Sequence, residues 1–118
     1  MTRRSAPVPQ SNDISLVDAP AALDQLDPLL QHRGRLGALV LLSGADALSF
    51  SRLKSLLDET DGNLGAQLRK LEEAEYVSVK KEFVDRKPTT WYSLTDCGQR
   101  ALRRHLKAIE SLLRASNL

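Results

Sequence analysis

Cysteine occurs once in this chain, at Cys97, so no internal disulfide forms and no cysteine cluster can gather around a metal. A reducing compartment is the simplest expectation. Histidine occurs only twice, and His32 and His105 stand too far apart in sequence to define a metal site. Long apolar runs are missing as well. The longest, residues 36–42, is interrupted by Gly37 and falls far short of the roughly 20 residues a bilayer span requires. Arg3 and Arg4 lead into proline, glutamine, serine, asparagine and aspartate rather than an apolar segment, so no secretory signal is expected. These absences point to a cytoplasmic protein with no membrane contact. No serine–histidine–aspartate set and no phosphate-cradling glycine loop is present, so neither catalysis nor a cofactor is expected. A strong charge of one sign is lacking too: the net charge is +2, and that total does not by itself call for a polyanionic partner.

The distribution of charge says more. From Pro28 onward there are 15 Lys and Arg against 11 Asp and Glu, whereas Asp13, Asp18, Asp24 and Asp27 make the preceding stretch acidic. With 118 residues, 42% of them hydrophobic, the chain can bury one core. Residues 1–19 are expected to be a flexible tail, since Met1–Ser11 is polar and holds Pro7 and Pro9, with Ile14, Leu16 and Val17 docking weakly. The domain proper is expected over residues 20–118. A short helix is predicted from Pro20 to Gln25, and a second from Asp27, where the aspartate caps and Pro28 fits the first helical position. Its apolar face is Leu29, Leu30, Leu36, Leu39, Val40 and Leu42, ending near Ser43 and Gly44.

The order of elements after Gly44 is specific. Residues 47–49 suit a short strand, and Ser49 suits the cap of a helix containing Phe50, Leu53, Leu56 and Leu57. Asp58, Glu59 and Thr60 interrupt the pattern, after which Leu64, Leu68 and Leu71 mark one side of a further helix capped by Thr60 or Asp61. Two β segments follow, one opened by Tyr76, Val77 and Val79 and the other holding Trp91, Tyr92 and Leu94. The polar residues Asp85, Arg86, Lys87 and Pro88 lie between them. Thr95 suits the cap of a last helix with a stripe of Leu102, Leu106, Ile109 and Leu113. The fold class is α+β: a winged helix-turn-helix, with a helical core, a small β-hairpin wing and a long C-terminal helix.

Such a unit presents one helix and one basic loop to duplex DNA. On the second helix, Asn63 and Gln67 have the amides that match adenine, Arg69 and Lys70 suit guanine or phosphate, and Gly62 and Ala66 permit close approach. These residues can equally be the solvated side of a core helix. Thr60 stands where helix amides favour a phosphate, and Ser49 offers a similar contact or serves only as a cap. On the hairpin, Lys80, Lys81, Arg86 and Lys87 concentrate positive charge and Thr89 and Thr90 add hydroxyls. The wing is expected on phosphates or in the minor groove, although lysine on an exposed strand also resists edge-to-edge aggregation.

The segment TDGNLGAQLRKLEEAEYVSVKKEFVDRKPTTWYSLTDCG, residues 60–98, resembles the winged-helix DNA-binding domain of small MarR-like and ArsR-like prokaryotic transcriptional regulators. The likeness extends over about residues 26–113 and rests on TDGNL, LRKLE, the tyrosine opening the wing, the basic turn with proline and the YSLT return strand. It implies DNA contact near Thr60, Asn63, Ala66, Gln67 and Lys70, with Arg86 and Lys87 on the wing. It also implies a homodimer through terminal helices, with Leu102, Leu106, Ile109 and Leu113 as the seam. The same stripe can instead close the chain's own core. Two departures stand out: Glu75 replaces a glycine between the recognition helix and the wing, and Asp85 replaces the glycine before the wing arginine. Cys97 is either a redox-sensing thiol or an inert, partly buried one. Transcriptional regulation, with repression favoured, is the expected function; the rival is a protein-interaction module without DNA binding. No separate ligand domain or sensor cluster is visible, so no effector is assigned.

Overall fold

A computed structural model describes residues 10–116 and 118. Its elements run α1 (Gln10–Gln25), a single 3-10 turn (Pro28–Leu30), α2 (Arg33–Ser43), β1 (Leu48–Ser49), α3 (Phe50–Leu57), α4 (Asp61–Glu73), β2 (Val77–Val84), β3 (Lys87–Leu94) and α5 (Asp96–Ala115). Contacts divide the chain into two units, Asp27–Arg103 and a second formed by the residues up to Leu26 with those from Arg104 onward.

The unit Asp27–Arg103 has the expected α+β layout. Its core is leucine: Leu30, Leu39, Leu42, Leu53, Leu64, Leu68 and Leu71 are all at most 1% exposed, joined by Leu57, Val77, Tyr92 and Leu102. Burying one leucine side chain contributes about 1.5–3 kcal/mol, so this cluster is the main force that holds the helices on the sheet. The sheet is antiparallel with order β1-β3-β2, and β1 pairs only Leu48 with Tyr92 and Ser49 with Trp91.

Capping fixes where the helices start. Ser49 Oγ accepts from Arg52 N at 3.1 Å, Thr60 Oγ1 from Asn63 N at 3.2 Å and Thr95 Oγ1 from Gly98 N at 2.9 Å, as their positions in the sequence predict. The region from Asp27 departs from expectation. Instead of one helix, Asp27 caps the 3-10 turn, its Oδ1 accepting from Leu29 N at 2.9 Å. His32 is then extended (φ −131°, ψ 131°) and caps α2, with Nδ1 accepting from Gly34 N at 3.0 Å. A histidine acceptor in a cap is a rarer device than Ser, Thr, Asp or Asn, which is why the break was not foreseen.

The second unit also departs from expectation. The helix predicted from Pro20 begins at Gln10 and carries Pro20 in its interior, where the ring removes one backbone donor. Residues 1–9 of the expected tail lie outside the described residues, as do the side chains of Ile14, Leu16 and Val17. In this unit Ala22, His105 and Ala108 are buried, while Leu106, Ile109 and Leu113 are 41%, 40% and 58% exposed.

Candidate nucleic-acid interface

The turn between α3 and α4 is set by the backbone and clamped from α2. Asp58 takes the left-handed conformation (φ 55°), with Asp58 N donating to Ser55 O at 3.4 Å and Glu59 N to Lys54 O at 3.2 Å, closing α3. Arg33 then holds the turn: its guanidinium donates to Glu59 Oε2 at 2.8 Å and to Leu57 O at 2.9 Å. Lys54 and Asp61 pair across the turn at 2.9 Å. The start of α4 is thus fixed by bonds from both neighbouring helices, a requirement for a rod that must meet a groove in one orientation.

With Leu64, Leu68 and Leu71 turned into the core, α4 leaves Asp61, Gly62, Asn63, Ala66, Arg69, Lys70 and Glu73 exposed. An open hollow of about 490 Å³ runs along this face, lined by Gly62, Gly65, Ala66, Arg69 and Lys70 with Asp61 and Glu73. A β-carbon added at Gly62 or Gly65 would meet nothing within 4 Å, so the helix surface is flat there. Gln67 is not on this face. It is half-buried, and its side-chain oxygen accepts from Arg35 of α2, so the geometry gives it a bracing role between helices. Arg35 carried no signal of its own as an arginine near the start of an apolar helix.

The exit from α4 directs the wing. Glu75 has φ 64°, its N donates to Glu72 O and Tyr76 N to Leu71 O, both at 2.9 Å, a Schellman closure at the position the resemblance assigns to glycine. Thr95 N donates to Tyr76 O at 3.1 Å and Thr95 Oγ1 to Glu75 O at 2.7 Å, which ties the wing's base to the start of α5. The Tyr76 hydroxyl donates to Asp27 Oδ2. Gly98 closes the junction, because a β-carbon there would lie 2.1 Å from Tyr76 O.

The hairpin is longer than its polar middle suggests. Strand pairing continues to Val84 opposite Lys87, leaving only Asp85 (φ 53°) and Arg86 (φ 67°) as the turn, with the paired positive φ of a two-residue type I′ connection. Pro88 therefore sits in β3 rather than in a loop. It is tolerated because β1 reaches only to Trp91 and Tyr92, so the far side of β3 is unpaired at Pro88. Lys81, Arg86 and Lys87 are exposed, and Thr89 is half-buried with its hydroxyl donating to Lys87 O at 3.4 Å. A groove of about 360 Å³ joins wing to helix, lined by Gly65, Arg69 and Glu72 of α4, Lys81, Thr90 and Tyr92 of the hairpin, Phe50 and Val79. Burial, then the negative charge of Glu72, pushes the Tyr92 hydroxyl above its usual pKa of 10.0.

Helix and hairpin thus open onto shared space, with Arg69 and Lys81 on its two sides. Residues 35–113 match the family described as a winged helix DNA-binding domain. The chain belongs to that family. Within this winged-helix family the function is carried by a DNA-binding domain, not by an enzyme active site. An uncharacterized protein of Methanocaldococcus jannaschii is 36% identical over 78 residues, which cover 66% of this chain and 85% of the relative. Among solved structures, a transcriptional regulator homologue from Pyrococcus horikoshii aligns with TM-score 0.73 and 28% identity over 89% of this winged-helix chain and 99% of that one. A MarR family transcriptional regulator from Streptomyces coelicolor, solved in complex with DNA, aligns with TM-score 0.63 and 24% identity over 91% and 75% of the two chains. This last likeness is one of fold, and the fold class read from the sequence is the one found.

Of the remaining predicted positions, Ser49 is half-buried and acts as the α3 cap, while Thr60 is exposed and caps α4. Leu102, predicted for the dimer seam, is 5% exposed and packs in the core of its own chain, so the exposed stripe begins at Leu106. Cys97 is exposed, not partly buried. Among the described residues no helix is long and apolar enough to cross a membrane, and no group of three or more His, Cys, Asp or Glu is placed to hold a metal ion.

Proposed function

We propose that this chain binds double-stranded DNA sequence-specifically in the cytoplasm and regulates transcription as a homodimer, repressing by covering promoter sites. The observation that carries the reading is the shared groove between the exposed face of α4 and the cationic hairpin. In this reading α4 lies in the major groove, where the Asn63 amide reads base edges, Arg69 and Lys70 meet guanine or phosphate, and Ala66 with the two glycines lets the helix backbone come close. The free amides at the start of α4, with the Thr60 hydroxyl, receive a phosphate. Lys81, Arg86, Lys87 and Thr89 engage phosphates or the minor groove. Leu106, Ile109 and Leu113 form the dimer seam, which sets two half-sites about one helical turn apart. The likeness to a transcriptional regulator homologue and to a regulator solved with DNA supports this reading.

Fluorescence anisotropy of the purified chain on fragments selected from genomic DNA tests it. Binding is expected to weaken steeply as salt rises, because each neutralised phosphate releases condensed counterions. A chain that shows no salt-sensitive duplex binding, yet retains a specific protein partner, would establish the interaction-module reading instead.

A further inference from the structure

The wing carries an apolar feature that its cations do not account for. Phe83 is 77% exposed, and Pro88, its partner in the strand register, is exposed as well. Strand alternation sorts the hairpin into two faces. One holds Lys81 opposite Thr90 and then Phe83 opposite Pro88; the other holds Lys80, Glu82 and Val84. Glu82 is bound to Lys80 at 3.5 Å on that second face, so the hairpin's glutamate is kept away from the phenylalanine. The face with Phe83 is also the one that lines the groove beside α4, through Lys81 and Thr90. A large ring left in water on an outer strand is an aggregation liability unless something covers it.

We propose that Phe83 and Pro88 form an apolar ridge that packs on the deoxyribose walls at the mouth of the DNA minor groove, while Arg86 and Lys87 hold the flanking phosphates. The proposal deepens the DNA-binding reading above and rests on it. One residue on each strand, Val84 and Lys87, lies between the ridge and the turn, so the two are two residue steps apart. At about 3.4 Å per step this is about 7 Å, close to the depth of a minor groove of about 7.5 Å. With the turn at the groove floor, the ridge meets sugar carbons and not base edges. Charge selects this occupant over a second copy of the chain: Lys81 lies on the ridge's own face, Arg86 in the turn beyond it and Lys87 on the flanking strand. These three exposed cations stand against the one carboxylate of Asp85 in the turn, so the surroundings of the ridge repel their own kind and attract an anionic surface whose walls are apolar. Sugar contact displaces no counterions, so the ridge adds affinity that is independent of salt.

The test is an anisotropy titration of the full chain on a duplex bound by the wild type, repeated at several salt concentrations. Phe83→Ala is expected to weaken binding about tenfold at every salt concentration, the effect of removing one largely buried aromatic ring, with an unchanged log–log salt slope. Phe83→Leu is expected to retain most of the affinity, and Lys87→Ala to lower the slope by about one. Wild-type affinity in Phe83→Ala, or a slope that falls with it, overturns the ridge. So does a change in the sedimentation of the free protein, which would assign Phe83 to self-association. A wild type that binds no duplex at all overturns the DNA reading itself, an outcome distinct from any of these.

Discussion

Glu75 illustrates how one residue positions a functional element. The chain must turn left-handed there to end α4 and open the wing, and a side chain in that conformation is strained by about 1 kcal/mol or more relative to glycine. Glu75→Gly is therefore expected to raise stability by about 1 kcal/mol, read as a higher midpoint in thermal or urea unfolding. Gly98 is the opposite case. Its added β-carbon would collide with the backbone oxygen of Tyr76, which is already bonded to Thr95, so Gly98→Ala should destabilise by at least about 2 kcal/mol in the same assay. Tyr92 adds a pH dependence. Its hydroxyl is harder to ionise in the folded chain than in the unfolded one, so both states keep the proton below pH 10.0 and stability is complete there. As pH rises above that value the unfolded chain loses its proton first, and stability falls until the folded value is passed. Tyr92→Phe is expected to flatten this alkaline limb in denaturation curves collected across pH. The left-handed turn at residue 75 was legible from the resemblance, which assigns glycine there; the collision at Gly98 was not, because it depends on Tyr76, which is brought close only by the fold.

At the scale of elements, the proposed function divides recognition between α4 and the hairpin. Asn63→Ala should alter preference among duplexes while leaving the salt slope intact, since an amide meets base edges. Lys87→Ala should weaken all duplexes alike and lower the slope by about one. Matched and scrambled duplexes titrated side by side separate the two effects, and a general loss of affinity in Asn63→Ala would remove it from the reading face. Gln67 belongs to neither class, because its oxygen is engaged by Arg35. Gln67→Ala should cost about 1 kcal/mol of stability with little direct change in sequence preference, as expected for the loss of one hydrogen bond to a charged group. Helical spacing alone placed Gln67 beside Asn63 and Ala66. A three-dimensional fact separated it from them: α2 crosses α4 on that flank and supplies an arginine within reach.

At the scale of the whole molecule, the long stripe on α5 separates a position in the chain's own core from the exposed positions proposed as the dimer seam. Leu102 closes the chain's own core, while Leu106, Ile109 and Leu113 stay exposed at successive turns of the helix. Ile109→Glu is expected to yield a monomer by sedimentation and to lose affinity for a two-half-site duplex far more than for a single half-site, because the gain from joining two sites on one particle disappears. A dimer that survives this substitution would move the seam elsewhere.

The sequence by itself determined the α+β class, the succession of helices and strands from β1 onward, the caps at Asp27, Ser49, Thr60 and Thr95 and the basic hairpin. These depend on the spacing of leucines, on cap chemistry and on strand alternation, all of them properties of neighbouring residues. Tertiary structure alone decided that His32 caps α2, that Arg33 clamps the turn, that Gln67 braces against Arg35, that Leu102 is core and that Phe83 stands exposed beside the cations. Each of those outcomes depends on which distant residue arrives within a few ångströms, and packing, not local propensity, settles that.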